Sequence, residues 1–444
     1  MKKYLILFLA ACVLAASCDK SQETAIKTYD LTVATVFEGD TLAVKGIDVN
    51  LKDSNSGVAF TAATDSCGVA LFTVPVGSYE ASVQYRSGDF VYNGVKSGIT
   101  VSSDRENAVE VELIASRTNA SALVIKELYC TGCSYADATG KAKTYNNAKY
   151  VKIYNNSSKP YSLDKCGLAM LAPYNAHVNK TLRDTTSKEL IYAKEDWVPA
   201  AHGVWYFNTS YTLQPYSEIT ISITGAIDHT QTYANSVNLS NADFVCYDPE
   251  SGYKLAASYP APSSTIDETH YLKAVTVTGA KGTAWPLSVN SPAFILFEVP
   301  EGQTAKDWAA DATLYDNTSI KGYQFQKMPR TWILDAIEIF DNANLAKSQK
   351  RFTSDIDAGY VSITNGVGYS VYRNVDKEAT EALEGNSGKL VYNYSEGTAS
   401  LENGSTDPSG IDAEASIKKG ARIIYLDTNN STVDLHQRAK ASLK

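Results

Sequence analysis

The stretch ELYCTGCSY contains the pair of residues with the clearest capacity for chemistry, Cys130 and Cys133. A Cys-x-x-Cys pair can bind zinc, act as a redox centre or form a disulfide. A structural zinc site needs a second pair of ligands, but Cys67, Cys166 and Cys246, the other cysteines after Cys18, and the five histidines are scattered. A redox pair opens a helix, whereas this pair follows a strand pattern. We therefore expect a disulfide between these two residues, or from one of them to Cys166, and neither metal nor cofactor.

Two carboxylates in the stretch SDIDAG, Asp355 and Asp357, could support hydrolysis or help to bind calcium. The stretch lacks the further acids and the closing glutamate of an EF-hand, and such pairs are more often solvated. Motifs of serine hydrolases, zinc peptidases and phosphate-binding loops are absent from the sequence. A secreted hydrolase that uses loop carboxylates is thus an alternative, and a protein without catalytic residues is the main interpretation.

Large aromatic residues lie in or beside predicted loops of the second half of the chain. Flat aromatic faces near Asn and Asp side chains can hold a sugar or a protein partner. Large aromatic side chains more often fix loops to a core, and we favour this reading. The candidate ligand-binding aromatics are Trp197, Trp205, Tyr206, Trp285 and Trp308. Trp332, inside a strand pattern, is expected in the core.

The chain begins MKKYLILFLAACVLAASCDK, with two lysines, a short apolar run and small residues before Cys18. The run is too short to span a bilayer and predicts an export signal over residues 1–17. Ala15-Ala16-Ser17-Cys18 resembles the lipobox of bacterial lipoproteins, which implies lipid attachment at Cys18 and a short linker over residues 18–26. Cleavage before Cys12 would leave too short an apolar run; a plain secretory signal is the other alternative.

Composition supports a protein that works outside the cytoplasm. The chain has 444 residues and a formal charge of −9, which argues against nonspecific nucleic-acid binding. No segment after the leader approaches the length of a membrane-spanning helix, so a lipid anchor would be the membrane attachment. The count of 29 Tyr beside 3 Met is typical of β-rich extracellular proteins. We expect a cell-envelope location at the outer membrane, on its surface or its periplasmic face.

Residues 27–116 alternate between apolar and polar side chains, which predicts half-buried strands in a small antiparallel β-sandwich. The inward sets include Leu31/Val33, Val49/Leu51, Phe72/Val74 and Ala81/Val83, separated by turn sequences such as DSNSG and PVGS. The part TDSCGVALFTVPVGSYEASV resembles the carboxypeptidase-regulatory-like, transthyretin-like module. The resemblance implies a spacer or docking domain without catalysis.

Residues 121–444 show a second pattern, which starts at ALVIKELYCTGC and continues at NAKYVKIYNNSSKPYSLDKCGLAM. It resembles the lamin-tail type of immunoglobulin-like domain. Val151 and Ile153 should point to one face of their strand and Tyr150 and Tyr154 to the other. Further strands are predicted at 218–224, 293–299, 331–340 and 421–427, with inserted loops at 173–197 and 248–286. The fold class is all-β, with a larger sandwich carrying long insertions after the small one.

The late stretches GYSVYRNV and LDTNNST complete a resemblance to a family of Bacteroidetes lipoproteins of unknown function that combines both modules. The resemblance implies a binding or scaffold protein for an envelope protein or a glycan. A TonB-dependent transporter is one implied partner, since modules like the first one accompany such transporters. A purely structural spacer is the remaining alternative.

Overall fold

The computed structural model describes residues 26–37, 45–87, 90–103, 109–119, 121–177, 182–276, 282–316, 325–393 and 407–444. The predicted signal peptide at 1–17 and the predicted lipid-attachment residue Cys18 lie outside the described residues. The described chain consists mostly of strands with a few short helices, so the all-β prediction is confirmed.

The described residues of the N-terminal sandwich form seven strands. They are β1 Thr28–Phe37, β2 Asp48–Asp53, β3 Ala59–Ala63, β4 Val69–Pro75, β5 Gly77–Ser87, β6 Phe90–Val101 and β7 Val109–Asn119. Their order is β3-β2-β5-β6-β7-β1-β4. Strand β7 pairs with β1 through residues 109–115 and with β6 through residues 116–119, so the sheet folds over at β7.

Alternating side chains build the core of the N-terminal sandwich, as the sequence pattern predicts. Leu31, Val33, Thr35 and Phe37 of β1 are buried, while the residues between them are partly or fully exposed. Leu31, Val33 and Phe37 meet inward residues of other strands, such as Leu51 and Phe72, in one apolar cluster. The prediction of a purely antiparallel arrangement is wrong at one place, because β1 and β7 run parallel. The pattern shows which side chains face inward but not which strands are neighbours.

The second region contains the remaining strands of the described chain. They are β8 Leu123–Tyr129, β9 Cys133–Ala136, β10 Ala142–Tyr145, β11 Lys149–Asn155, β12 Tyr161–Ser162, β13 Cys166–Met170, β14 Trp197–Ala201, β15 Val204–Tyr206, β16 Thr212–Leu213, β17 Glu218–Thr224, β18 Phe244–Cys246, β19 Tyr271–Val275, β20 Ala293–Glu298, β21 Tyr315–Asp316, β22 Phe325–Pro329, β23 Ile333–Asp341, β24 Val361–Ile363, β25 Ser370–Arg373 and β26 Leu435–Arg438.

The helices of the second region are short. The α-helices are α1 Ala305–Ala310, α2 Lys377–Ala382, α3 Ala413–Lys418 and α4 Ser431–Asp434. Short 3-10 helices occupy His229–Gln231, Glu268–His270, Ala312–Leu314, Arg330–Trp332 and Asn342–Lys347. Asp and Thr side chains cap several of them, as Thr304 does for α1, and so fix where these turns begin.

A large sheet of twelve strands dominates the second region, in the order β24-β23-β20-β13-β15-β19-β18-β17-β11-β8-β25-β26. Its two edge strands lie in contact, and the backbone N–H of Thr364 beside β24 donates to Gln437 Oε1 of β26 at 2.6 Å. The sheet therefore nearly closes around its core. Small sheets, β9 with β10, β12 with β16, and β14 with β22 and β21, complete the region.

Strands β8 and β11 of this sheet are buried at every residue. Val151 and Ile153 of β11 point into the main core, as predicted, together with Leu128 of β8. Tyr150 and Tyr154 point the other way, into two smaller clusters formed by segments that pack outside the sheet. Because other segments cover the outer face of the sheet, the side chains on both faces of these strands are buried.

Three of the four strands predicted late in the chain are present. β17 and β20 lie at the predicted places and β23 is displaced by two residues at its start. The predicted strand at 421–427 is wrong, since that segment makes an isolated bridge between Tyr425 and Val375. Side chains take the place of a neighbouring strand there: Asn156 binds both the N–H and the C=O of Tyr425, and Thr380 Oγ1 accepts from the N–H of Ile424.

The two predicted insertions differ. Within the described part of 173–197 no strand forms before β14 begins at Trp197. The predicted insertion at 248–286 instead contains β19, which lies between β15 and β18 inside the large sheet. The sequence of β19, YLKAV, is too short to show an alternating pattern among its polar neighbours, so the sequence does not predict this strand.

The two regions contact each other at the loop that leads into α4. The side-chain amides of Gln84 and Asn93 both donate to the backbone C=O of Thr428, the former at 3.1 Å. The backbone N–H of Ser121 donates to Asp427 Oδ2 at 3.0 Å. The same loop therefore receives hydrogen bonds from the N-terminal sandwich and from the segment that connects the regions.

Candidate functional site

Two adjoining clefts lie where β15 ends and the chain turns through residues 207–211. The larger cleft has a volume of about 520 Å³ and is bounded by residues 164–166 and by the turn and first residues of α1 at 303–307. The smaller has a volume of about 420 Å³ and is bounded by residues 247–250 and 268–273. Asn208 and Thr209 line both, so they form a crest between the clefts. We name this pair of clefts the double cleft.

Anchors on both sides of the crest explain why it projects. The backbone N–H of Phe207 donates to the C=O of Cys166 at 3.1 Å, and that of Leu163 donates to the C=O of Tyr211 at 2.9 Å. The rings of Phe207 and Tyr211 each pack edge-to-face on Phe244, with centroids 5.0 Å apart. The polar residues between these two rings are thereby held outward, although they belong to no strand or helix.

Tyrosine rings form part of both walls. Tyr206, half-buried at the end of β15, lines the larger cleft. Tyr247 and Tyr271, also half-buried, line the smaller cleft and pack edge-to-face with centroids 5.7 Å apart. Burial, followed by nearby carboxylates, raises the pKa of Tyr206 and of Tyr271. Their hydroxyl groups therefore stay protonated at neutral pH and can donate hydrogen bonds.

Most charged groups at the double cleft are already engaged by the protein. Lys165 pairs with Glu301, and Lys273 Nζ lies 3.3 Å from Asp248 Oδ1. Asp307 accepts a hydrogen bond from Thr304 Oγ1 at 2.7 Å. Acidic and basic side chains occur together in both walls. The double cleft therefore has no single strong charge that would select an ion.

Four neutral polar side chains of the larger cleft, in contrast, are uncommitted. Among the described residues, the side chains of Asn208, Thr209, Ser210 and Gln303 have no hydrogen-bond partner in the protein. Asn208, Ser210 and Gln303 are exposed and Thr209 is half-exposed. These hydroxyl and amide groups can both donate to and accept from a polar ligand.

The candidate ligand-binding tryptophans are mostly core residues. Trp205, Trp285 and Trp308 are at most 5% exposed. The indole N–H of Trp285 donates to the C=O of Gly203, and that of Trp308 donates to the C=O of Lys327, at 3.1 and 3.2 Å. These three rings pin loops to the large sheet and present no face to a ligand. The reading favoured from the sequence, in which large aromatic side chains fix loops to the core, describes them.

The other candidate aromatics are half-buried. Trp197 stacks on Phe325 with ring centroids 6.1 Å apart, and Lys327 Nζ lies 4.8 Å from its ring centroid. Trp332, predicted in a strand core, ends a 3-10 helix and packs edge-to-face on Trp308 at 5.4 Å. Of the five candidate aromatics, Tyr206 lines the double cleft. Asn208, Thr209, Tyr247 and Tyr271 were missed, although the polar run Asn-Thr-Ser after an aromatic strand end is a detectable signal.

The predicted disulfide is absent from the structure: Cys130, Cys133 and Cys166 are buried thiols. Cys130 points into the main core near Lys149, whereas Cys133 lies beside Tyr129 and Ser236 on the other side. The two sulfur atoms of the pair thus face different environments. Burial raises the pKa of Cys130 to about 12 and of Cys166 well above its ordinary value, so these thiols stay protonated and unreactive at neutral pH.

The two carboxylates Asp355 and Asp357 have different structural partners. Asp355 binds Arg330 Nη1 through both oxygens, at 2.9 and 2.8 Å. Asp357 is fully buried and accepts hydrogen bonds from the N–H and Oγ of Ser431 at 2.8 and 2.7 Å. Neither carboxylate lines the double cleft. Within the described ranges, no group of three or more His, Cys, Asp or Glu side chains is arranged to hold a metal ion.

Part of the chain is similar to a family of unknown function. Residues 214–393 match the model of the DUF4876 family, described as a protein of unknown function. This match contains β17 through β25 and includes one wall of the double cleft, at 247–250 and 268–273. No curated protein matches the chain. In the described part of the chain, no helix combines the length and apolar character needed to cross a bilayer.

Three solved structures of bacterial proteins are similar to this chain. A DUF4876 family protein from Bacteroides thetaiotaomicron is 20% identical, with a TM-score of 0.48, and the alignment covers 92% of this chain and 94% of that one. A DUF3823 family protein from Parabacteroides merdae is 13% identical, with a TM-score of 0.16 and coverages of 45% and 82%. A shaft pilin from Lactobacillus rhamnosus GG is 9% identical, with a TM-score of 0.17 and coverages of 68% and 94%.

Proposed function

We propose that this chain is a cell-envelope binding or scaffold protein that holds its ligand in the double cleft. The observation that carries the proposal is the crest of Asn208 and Thr209, whose uncommitted polar groups face two clefts with tyrosine walls. Ligand sites are concave, partly aromatic and supplied with a few free polar groups, and their volumes are of this order. The engagement of Asp355 and Asp357 with structural partners favours binding over hydrolysis.

We further propose that a lipid at Cys18 anchors the protein to the outer membrane. The N-terminal sandwich would then separate the membrane from the double cleft and act as the spacer. The hydrogen bonds from Gln84 and Asn93 to Thr428 support a fixed connection between the spacer and the binding region. An envelope protein, such as a TonB-dependent transporter, or an envelope glycan is the partner class that this placement makes accessible.

Capture of a partner from native membranes tests the proposal. The tagged protein would be expressed in its native host, solubilised and recovered with its bound material. A Thr209→Trp variant would place a large side chain at the crest, where it would obstruct the clefts. A Thr212→Trp variant would place the same bulk on β16, at an exposed threonine that lines neither cleft. A Cys18→Ala variant would remove the anchor.

We expect the unaltered protein and Thr212→Trp to recover the same envelope component, and Thr209→Trp to lose it while its Tm stays unchanged. Loss with Cys18→Ala would show that capture needs the anchor. Equal recovery with both tryptophan variants would contradict a role of the double cleft in binding. Recovery of no component by any form would favour the purely structural spacer.

A further inference from the structure

The lining of the double cleft restricts the chemical class of its ligand. Its uncommitted neutral groups are hydroxyls and amides, those of Asn208, Thr209, Ser210 and Gln303 in the larger cleft, and its aromatic lining is tyrosine apart from the buried Phe207. Hydroxyls and amides that can both donate and accept match a ligand rich in hydroxyl groups. Tyrosine presents an apolar face and a polar tip, which suits a sugar ring with C–H groups on one face and hydroxyls at its edge.

Electrostatics argue for an uncharged ligand. Of the lysines that line the clefts, Lys165 and Lys273 pair with Glu301 and Asp248, and the exposed Lys306 shares the larger cleft with Asp164 and Asp307. Glu250 and Glu268 are exposed in the wall of the smaller cleft, where they would repel a carboxylate or sulfate. An acidic polysaccharide would therefore meet like charge without a free cation to compensate in that wall.

Strand geometry argues against an extended peptide. Peptides that bind to β-proteins commonly add a strand at an open sheet edge. β15, which leads into the double cleft, pairs with β13 on one side and with β19 on the other. Both of its edges are therefore occupied, and the backbone of a peptide would find no ladder to extend.

A ligand that contacts both clefts must be long enough to pass over the crest. Asn208 and Thr209 belong to both walls, so a ligand that used their side chains on both sides would pass over them. The clefts have volumes of about 520 and 420 Å³. Each has its own tyrosine surface, Tyr206 in one and Tyr271 with Tyr247 in the other. A chain of several sugar units can contact both surfaces, whereas a single sugar can contact one.

We infer that the double cleft binds a linear, uncharged oligosaccharide that crosses the crest and rests on Tyr206 on one side and Tyr271 on the other. This inference rests on the proposed function, because it names the ligand class of the same site. It adds three features that a general binding role does not require: neutrality, a length of several units, and a contact on each side of the crest.

A glycan array followed by calorimetry tests the inference on the full chain, purified from membranes in a sugar-free zwitterionic detergent. The array would carry neutral hexasaccharides of glucose, mannose and N-acetylglucosamine, together with a galacturonate hexasaccharide as the acidic probe. Calorimetry would then compare the hexasaccharide bound with its disaccharide. Tyr206→Ala and Tyr271→Ala would be compared with Tyr135→Ala, which removes a half-buried tyrosine of β9 outside the double cleft.

We expect a neutral hexasaccharide to bind more tightly than its disaccharide, and each cleft variant to weaken it about 10-fold, as loss of one ring contact predicts. Tyr135→Ala should bind as the unaltered protein does. Binding of the acidic probe alone, equal affinity for the disaccharide, or binding that neither cleft variant changes would overturn the inference. Absence of glycan binding combined with loss of partner capture in Thr209→Trp would overturn the inference and leave the proposed function intact.

Discussion

The N-terminal sandwich and the large sheet of the second region bury their strands in different ways. In β1, buried and more exposed residues alternate, and the buried polar residues of the described sandwich are the uncharged Thr35, Thr64 and Asn93. In the second region β8 and β11 are buried throughout, and the buried residues include Lys126 and other charged side chains. Strand β1 of the first region has one face exposed to solvent. Strands β8 and β11 of the second region are covered on both faces.

Arg373 shows what the second arrangement requires. Its guanidinium donates to the C=O of Ile125 in β8 and to that of Leu426, at 2.8 and 2.9 Å. It also pairs with Asp335 of β23 and lies 3.7 Å from Asp434. One buried cation thus joins two strands of the sheet to the loop that covers it. Covering segments without strand partners obtain hydrogen bonds from side chains, here from the buried charge of Arg373, and a pattern of apolar residues does not reveal such contacts.

The largest expected effect comes from removing this cation. Arg373→Met leaves buried carboxylates with less compensating charge, and breaking such a buried pair costs about 3–5 kcal/mol of folding free energy. We expect the second region to lose its cooperative unfolding transition or to unfold at much lower urea concentration. Lys165→Met, which breaks the exposed pair with Glu301, is the matched control and should leave the urea midpoint unchanged.

The next effect belongs to the N-terminal sandwich. Leu51 of β2 is fully buried, whereas Leu71 of β4 is 59% exposed. Leu51→Ala should destabilise the sandwich by about 3 kcal/mol through lost burial and a cavity, and Leu71→Ala by much less. Thermal unfolding followed by calorimetry checks both. Equal losses would mean that the alternation along β2 and β4 does not reflect which face carries the core.

The stability of the two regions should depend differently on pH, because the sequence has no histidine before His177. Burial, helped by Arg438, lowers the pKa of His436 to about 3. The neutral imidazole therefore contributes stability that is present above pH 6.5 and is lost as the pH falls towards 3, at about 1.4 kcal/mol per pH unit. His436→Gln should lessen the loss between pH 6.5 and 5 in urea titrations. An unchanged slope would show that His436 titrates alike in the folded and unfolded states.

The smallest effect concerns the junction. Asn93→Ala removes a side-chain donor to the C=O of Thr428, which should cost about 1 kcal/mol of coupling between the regions. We expect the two calorimetric transitions to move apart. Asn50→Ala, which removes an exposed hydrogen bond with Thr61 within the sandwich, should not separate them. Transitions that stay together in both variants would place the coupling elsewhere.

The sequence predicts the parts of this fold that alternation governs. The inward residues of β1, β2, β4 and β5 could be read directly, because each strand has one wet face. The parallel pairing of β1 with β7 could not be predicted, since the alternation of apolar and polar residues does not depend on which strands are neighbours in the sheet. The segment at 421–427 has the apolar content of a strand, but Asn156 and Thr380, distant in sequence, take its backbone groups.

The candidate site was predictable in one respect. Tyr206 was named among the aromatic residues in or beside predicted loops, and it does line the larger cleft. Tyr271 could not be connected with it, because β19 was read as part of an insertion. Trp205, Trp285 and Trp308 are buried because their large apolar area is worth most when it is removed from water. Sequence position beside a loop does not distinguish a ring that fixes the loop from one that meets a ligand.

The pairing of β8 with β25 has a consequence for the time that folding takes. Glu127 of β8 and Ser370 of β25 are joined by a side-chain hydrogen bond across 243 positions, whereas the bond from Thr32 to Val109 in the N-terminal sandwich spans 77. Rates of folding fall as contacts join more distant parts of a chain. The sandwich should therefore reach its final form first. During the interval that follows, β8 has an unpaired edge that other chains can reach, and this interval is when the protein is most exposed to aggregation.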